Sequence, residues 1–409
     1  MRTPFAVIAV LLVALLALAA LTEGGGEQEE AAAPGTAPVR VIAGRVEALR
    51  DLRFERMPRP VRVDAAQARR EGLAELDRTY PEERRRADEE VLKLLGLIEP
   101  DADLRELAAT LYGEGVAGYY DPRTERMRVV AGAATGTRVL AEMTLAHELT
   151  HALEDQVYGL GVEDLSGSDD QVLARLALIE GTASALMYRY AERHFTAEET
   201  LGGVLASAFA DTAQLPPFLQ SQTVFPYLEG EAFVSALLDR AGSRWDLVDL
   251  AYRARPPSST EQVLHPDAYL GVDEPAPVRL RVGAVLGDGW TRAAAGTWGE
   301  LSTRELLATA GGGGSADAAA GWGGDRYELW RARPFVGESC PSPCTDADIL
   351  VMRWRWDTPR DEREFARKLS AFAGAELDGR PFAVVRRGGT VTLVIGPSQS
   401  LAERVARAG

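Results

Sequence analysis

The chain holds four histidines, and two of them stand four residues apart with a glutamate beside the first: His147-Glu148-Leu149-Thr150-His151. On an α-helix, positions i and i+4 lie about 40° apart around the axis, so both imidazoles project from one face and can reach a common ion. Zinc accepts such a pair at about 2.0–2.1 Å, and Glu148, one position round the helix, can reach a water on that ion. This spacing supports metal-assisted hydrolysis with a carboxylate as proton acceptor.

Hydrolytic zinc takes three protein ligands and keeps one position for water, so a third ligand must come from elsewhere in the chain. His194 and His265 are candidates, but Glu180 fits better. It follows His151 by 29 residues, and its context, Ala177-Leu178-Ile179-Glu180-Gly181-Thr182-Ala183, sets a carboxylate in an apolar stretch. A buried glutamate needs a cation or other partner to offset its desolvation, and zinc would be that partner; the plainer reading is a helix-surface residue paired with an arginine. The rival is Glu229, in Leu228-Glu229-Gly230-Glu231.

The elements that must carry these residues follow from periodicity. Thr137 to about Tyr158 has apolar residues at helical spacing, which puts the HExxH pentad in the middle of a helix. A second helix runs from Asp169, a good N-cap, to about His194 and carries Glu180. Val116–Val130 reads as a hairpin turned at Asp121-Pro122. Upstream, Val39–Ile42 and Pro60–Val63 read as short strands and Ala65–Leu76 and Glu82–Leu95 as helices. Downstream, Ala197–Thr212, Glu229–Ala241 and Arg244–Ala254 have helical spacing, broken at Pro216-Pro217 and Pro256-Pro257.

HELTH followed on a second helix by Glu180-Gly181-Thr182-Ala183 resembles the gluzincin metallopeptidases, the thermolysin-like group whose third zinc ligand is a glutamate on the helix after the HExxH helix. The matching residues span about 137–192, and the whole chain is similar to exported bacterial HExxH proteins. The resemblance implies a mainly helical, zincin-like catalytic domain with a small N-terminal sheet. It implies zinc on His147, His151 and Glu180, Glu148 as general base, and the hairpin Gly118–Val130 lining the substrate cleft.

Such a site also needs a donor for the developing oxyanion, normally a Tyr or His opposite the metal. His265 is a candidate, in Ser259-Thr260-Glu261-Gln262-Val263-Leu264-His265 after a capping-box pattern, and Tyr119, Tyr120 and Tyr227 are others. Metal-bound histidines pass their second N–H to a carboxylate, for which Asp155, then Asp169 and Asp170, are the candidates. His194, between Arg193 and Phe195 at its helix end, reads as a surface residue.

The 409 residues leave room for two domains, and a net charge of −16 argues against a nucleic-acid partner. Phe5 to Leu21 is uncharged and apolar, preceded by Arg2, and reads as an export signal or a single membrane anchor; either places the rest outside the cytoplasm. Residues 22–38 read as a flexible tether. Cys340 and Cys344, in Ser339-Cys340-Pro341-Ser342-Pro343-Cys344, fit a small-loop disulfide in such a compartment. From about 276 the pattern turns to strands: Arg326–Arg333, Leu350–Trp356, Phe382–Arg386 and Val391–Ile395, the last two joined at Gly388-Gly389. Helices Ser302–Ala308, Asp361–Phe372 and Leu401–Ala408 accompany them.

The expectation is therefore an α+β protein. Residues 39–275 form a zincin-like metallopeptidase domain and 276–409 a smaller α+β domain. The function expected is an exported or membrane-anchored zinc peptidase acting on peptide or protein substrates. The alternative is a metal-stabilised envelope scaffold with a non-catalytic zinc site, in which a filled coordination shell would leave no place for water.

Overall fold

The computed structural model describes residues 37–114, 118–122, 125–130, 138–160, 167–199, 214–335, 340–377 and 379–408. The apolar run at 5–21, most of the tether and the greater part of the helix expected over Ala197–Thr212 lie outside them. No helix among the described residues is long and apolar enough to cross a membrane.

The chain is a mixed α+β protein. It opens with α1 (Val39–Arg50), β1 (Val61–Val63), α2 (Ala65–Thr79), α3 (Glu82–Leu94) and α4 (Leu104–Glu114), then the hairpin β2 (Gly118–Asp121) and β3 (Arg126–Val130). The helical body follows: α5 (Arg138–Tyr158), α6 (Asp169–His194), α7 (Pro217–Arg240), α8 (Asp246–Arg253), α9 (Thr260–Leu264) and α10 (Pro266–Gly271). The last third comprises α11 (Val282–Leu286), β4 (Trp290–Gly296), α12 (Gly299–Thr309), α13 (Ser315–Ala319), β5 (Trp322–Ala332), β6 (Asp348–Trp356), α14 (Pro359–Glu376), β7 (Phe382–Arg387), β8 (Thr390–Ile395) and α15 (Gln399–Ala408).

Two segments depart from their expected form. Val39–Ile42 is the first turn of α1 and not a strand: Ile42, Ala43, Val46 and Arg50 are buried along one helical stripe, and that spacing overrides the strand preference of the valines. The helix expected from Glu229 begins at Pro217 and runs through Pro226. Pro226 removes one i→i−4 bond, but Phe225, Phe233, Val234 and Leu237 bury on either side of it and hold the helix together.

The N-terminal sheet has the order β1-β3-β2, with β1 parallel to β3 and β2 antiparallel at the edge. The C-terminal sheet is antiparallel in the order β4-β5-β6-β8-β7. Its β7–β8 turn is the expected Gly388-Gly389 pair, with φ of 61° and 79°, left-handed values that a two-residue hairpin requires and glycine supplies without strain.

Three apolar clusters hold these layers. One joins α1, α5, α6, α7 and α8 around Leu149, Leu153, Leu173 and Phe233. A second joins α2, α3 and α4 to one face of the C-terminal sheet, so Leu92, Leu95 and Ile98 share a core with Leu329, Leu350 and Trp354. The third covers part of the opposite sheet face with α11 and α15. Arg84 of α3 adds polar ties across this packing, to Asp169 at 3.2 Å and the Tyr327 hydroxyl at 3.0 Å. The expected Cys340–Cys344 disulfide is present, and its loop sits on buried Glu90 of α3, which accepts from the Ser342 hydroxyl at 3.1 Å and from the Cys344 N–H.

Candidate metal centre

Helix α5 is buried continuously from Ala146 to Glu154, so its middle two turns are enclosed by neighbouring elements on every side. His147 has no exposed surface and His151 is 8% exposed. Their Nε2 atoms stand 2.9 Å apart and the rings meet edge to face with centroids 4.7 Å apart. Glu180 comes from α6, which Ser168 starts by a capping box with Gln171. Its Oε2 lies 3.2 Å from His147 Nε2 and 3.3 Å from His151 Nε2. Among the described residues this is the one group of three that could hold a metal ion.

The donor set fits a divalent cation. Two ligands each about 2.0–2.1 Å from a tetrahedral ion stand about 3.3 Å apart, close to the separations found. Two lone pairs and a carboxylate aimed at one another in a buried place require a cation or a proton between them. Without a metal the proton serves: against its burial, the charge of Glu180 pushes His151 up to about 9. Burial opposes ionisation of Glu180 as well, yet His151 and hydrogen bonds from both rings hold it down at about 2. Burial lowers His147 to about 4, helped by the His151 charge.

Glu148 is not among the three ligands. It is 3% exposed, its Oε1 has no partner, and the Tyr120 backbone N–H of edge strand β2 donates to its carboxylate. Burial pushes its carboxyl up to about 7, with the Glu180 charge acting in the same sense and His151 opposing.

Helices α6 and α7 touch backbone to backbone beside this group. A Cβ on Gly181 would stand 2.2 Å from the Gly230 carbonyl, and one on Gly230 would stand 2.3 Å from the Ala177 oxygen. The close crossing brings Tyr227 onto the site: its hydroxyl hydrogen-bonds Glu180 and its ring centroid lies 6.3 Å from that of His147.

The remaining expected residues are placed elsewhere. His265 Nε2 lies 2.9 Å from Glu300 Oε1, at the α9–α10 junction, and Glu229 faces Arg304 at 3.7 Å. His194 packs its ring on Tyr190. Tyr119 bonds Glu71, and Tyr120 donates its hydroxyl to Asp155 at 2.8 Å. Asp155 also accepts from the Leu160 N–H, Asp169 pairs with Arg84, and Asp170 takes the Thr260 hydroxyl at 2.6 Å. None of the three aspartates serves the imidazoles, whose Nδ1 atoms have no partner among the described residues.

A network that the spacing did not announce sits one turn beyond His151. Fully buried Glu154 accepts from Arg50 Nε at 2.7 Å and from the Tyr252 hydroxyl at 2.7 Å. Tyr252 lies also 3.5 Å from the Leu178 carbonyl, two residues before Glu180, so it spans the two helices that carry the ligands. Arg50 is itself fully buried, pairs with Asp249 at 2.8 Å and stacks 4.4 Å over Trp245. Arg50 and Tyr252 stand about 100 residues to either side of Glu154 in sequence, where local pattern carries no signal.

Residues 285–406, the segment that holds β4 to β8, match a family model described as a domain of unknown function (DUF8575). That segment contributes none of the three ligands. No curated protein and no solved structure matches the chain.

Proposed function

We propose that this chain is a zinc-dependent metallopeptidase of zincin-like fold, exported or anchored at the membrane by its N-terminal apolar run. One observation carries the reading: His147 Nε2, His151 Nε2 and Glu180 Oε2 converge within 3.3 Å of one another while Glu148, next to His147, keeps a carboxylate oxygen without a partner. Bound zinc supplies Lewis acidity to a scissile carbonyl and lowers the pKa of a water towards 7. Glu148 takes the proton from the attacking water and passes it to the leaving amine. The Tyr120 N–H donates to the Glu148 carboxylate and holds it against β2. Tyr227 is the one tyrosine of the three considered that reaches the ligand group, so we assign its hydroxyl, rather than His265, as donor to the charge developing on the carbonyl oxygen. β2 is an edge strand, a form that suits an extended peptide as substrate.

The test is zinc stoichiometry of the purified protein, measured beside hydrolysis of a quenched fluorescent peptide. One zinc per chain, activity lost to a chelator and restored by zinc, and loss of the metal in Glu180→Gln are expected. A folded wild type that takes up no zinc would overturn the reading. Zinc bound without any hydrolysis would favour the scaffold alternative.

A further inference from the structure

The two faces of the C-terminal sheet differ. One is closed by the core shared with α2, α3 and α4. On the other, Ile349, Val351, Val394 and Ala383 lie beneath α11 and α15. Because side chains alternate, the same face continues past that cover into arginines. Arg326 of β5 lies directly opposite Arg353 of β6, and in the next row Arg355 of β6 and Arg387 of β7 flank Thr390 of β8.

Like charges directly opposite one another weaken a sheet, and the carboxylate that meets this pair is Glu328, which Arg326 shares with Arg292. Arg353 is partly buried and donates to the Thr392 hydroxyl at 2.9 Å and the Arg279 carbonyl at 3.3 Å, both uncharged. Burial alone lowers its pKa, with no carboxylate acting on it. Arg326 reaches Glu328 only at 3.4 Å, on an oxygen that Arg292 also takes at 3.2 Å. Arg355 and Arg387 are exposed. In a chain of net charge −16 the four arginines form a narrow strip of positive charge, with Asp357 and the acids it faces, Asp273, Asp361 and Glu300, beside Arg355.

The band is also narrow. Four adjacent strands span about 14 Å, and successive rows on one face stand about 7 Å apart. Glu328 borders it on the covered side, and Asp357, whose carboxyl feels the Arg355 charge, borders it just past β6. A bilayer or a nucleic-acid duplex laid on this face would bring phosphates onto those acids as well; a single extended chain would not. Guanidinium and carboxylate pair in a fork on this same sheet, where Arg331 holds Asp348 through Nε at 2.7 Å and a terminal nitrogen at 2.6 Å.

We propose that this arginine band binds an acidic segment of polypeptide, about four residues of it, lying extended across strands β5, β6, β8 and β7. The proposal does not depend on the metal centre. It assigns to the segment that matches the domain of unknown function a binding role of its own.

The experiment is fluorescence polarisation with the full-length protein and labelled hexaglutamate, with hexaglutamine as control. Saturable binding of hexaglutamate alone, weakened by salt, is expected. Arg326→Gln with Arg353→Gln should weaken it at least about tenfold. Arg355→Gln with Arg387→Gln changes exposed side chains only, should weaken it in the same sense, and decides the matter if the first double variant fails to fold. No hexaglutamate binding by the wild type, or undiminished binding in the Arg355/Arg387 variant and in any folded Arg326/Arg353 variant, overturns the proposal. So does binding of phosphatidylglycerol vesicles or polyphosphate, but not hexaglutamate, that is lost in these variants.

Discussion

Gly181 and Gly230 meet where α6 crosses α7, and neither has room for a Cβ: one added at 181 would stand 2.2 Å from the carbonyl of residue 230. Each glycine follows a glutamate, Glu180 and Glu229, but only Glu180 faces the histidines. The contact therefore sets both the ligand and the distance of Tyr227 from it. Gly181→Ala must push the helices apart, because the atoms met are backbone and cannot rotate away. The expected cost is about 3 kcal/mol or more, read as a lowered Tm, together with loss of stoichiometric zinc. An alanine variant with wild-type melting and metal content would show that the helices are not in contact there.

Glu148→Gln tests the division of labour between holding the metal and moving the proton. Glutamine keeps the size and can still accept the Tyr120 N–H, so the fold and zinc content should stay as they are. Peptide hydrolysis should fall about 10²- to 10⁴-fold, the range for loss of a general base. Full activity in this variant would remove Glu148 from the mechanism.

Arg50→Met should be among the most damaging single changes outside the ligand group itself. It leaves Glu154 wholly buried without its cation, at an expected cost of about 3–5 kcal/mol in chemical denaturation. Adding Glu154→Gln removes the stranded charge, so the double variant should recover much of the loss. If the two changes prove additive, the pair is not coupled.

How far the sequence could be read depended on the range of each interaction. The His147–His151 pair is a property of one helix, and spacing alone sufficed to find it. Glu180 was reachable because a carboxylate in an apolar run needs a partner, which is again local. The hairpin turn at Gly388-Gly389 and the five-residue disulfide loop are short-range in the same way. Tyr227 could not be chosen over Tyr119 or Tyr120, since its approach to Glu180 depends on two glycines 49 residues apart in sequence meeting at a crossing. His265 drew attention through the rarity of histidine, but its ring turns to Glu300 of α12, on an element that no local pattern linked to it. Strand propensity in Val39–Ile42 is a property of four residues, whereas burial follows a helical stripe twelve residues long and prevails.

The pH dependence of stability should be set in part away from the metal. Glu261 on α9 faces Glu300, Asp357, Asp273 and Asp170, and burial followed by these like charges pushes its carboxyl up to about 9. Asp170 is raised to about 7, again first by burial, against the hydrogen bonds from Thr260. A carboxyl whose folded pKa lies above its unfolded value binds more protons in the folded state between the two. Its stabilising effect is complete below the unfolded value near 4.5 and is lost as pH rises through the folded one, for Glu261 up to about 9. The protein should accordingly melt at lower temperature at pH 9 than at pH 6. Glu261→Gln, which is neutral throughout, should reduce that difference and raise the Tm at pH 9 by about 3 °C. Identical pH profiles of Tm for wild type and variant would show that Glu261 ionises in the folded protein as it does in water.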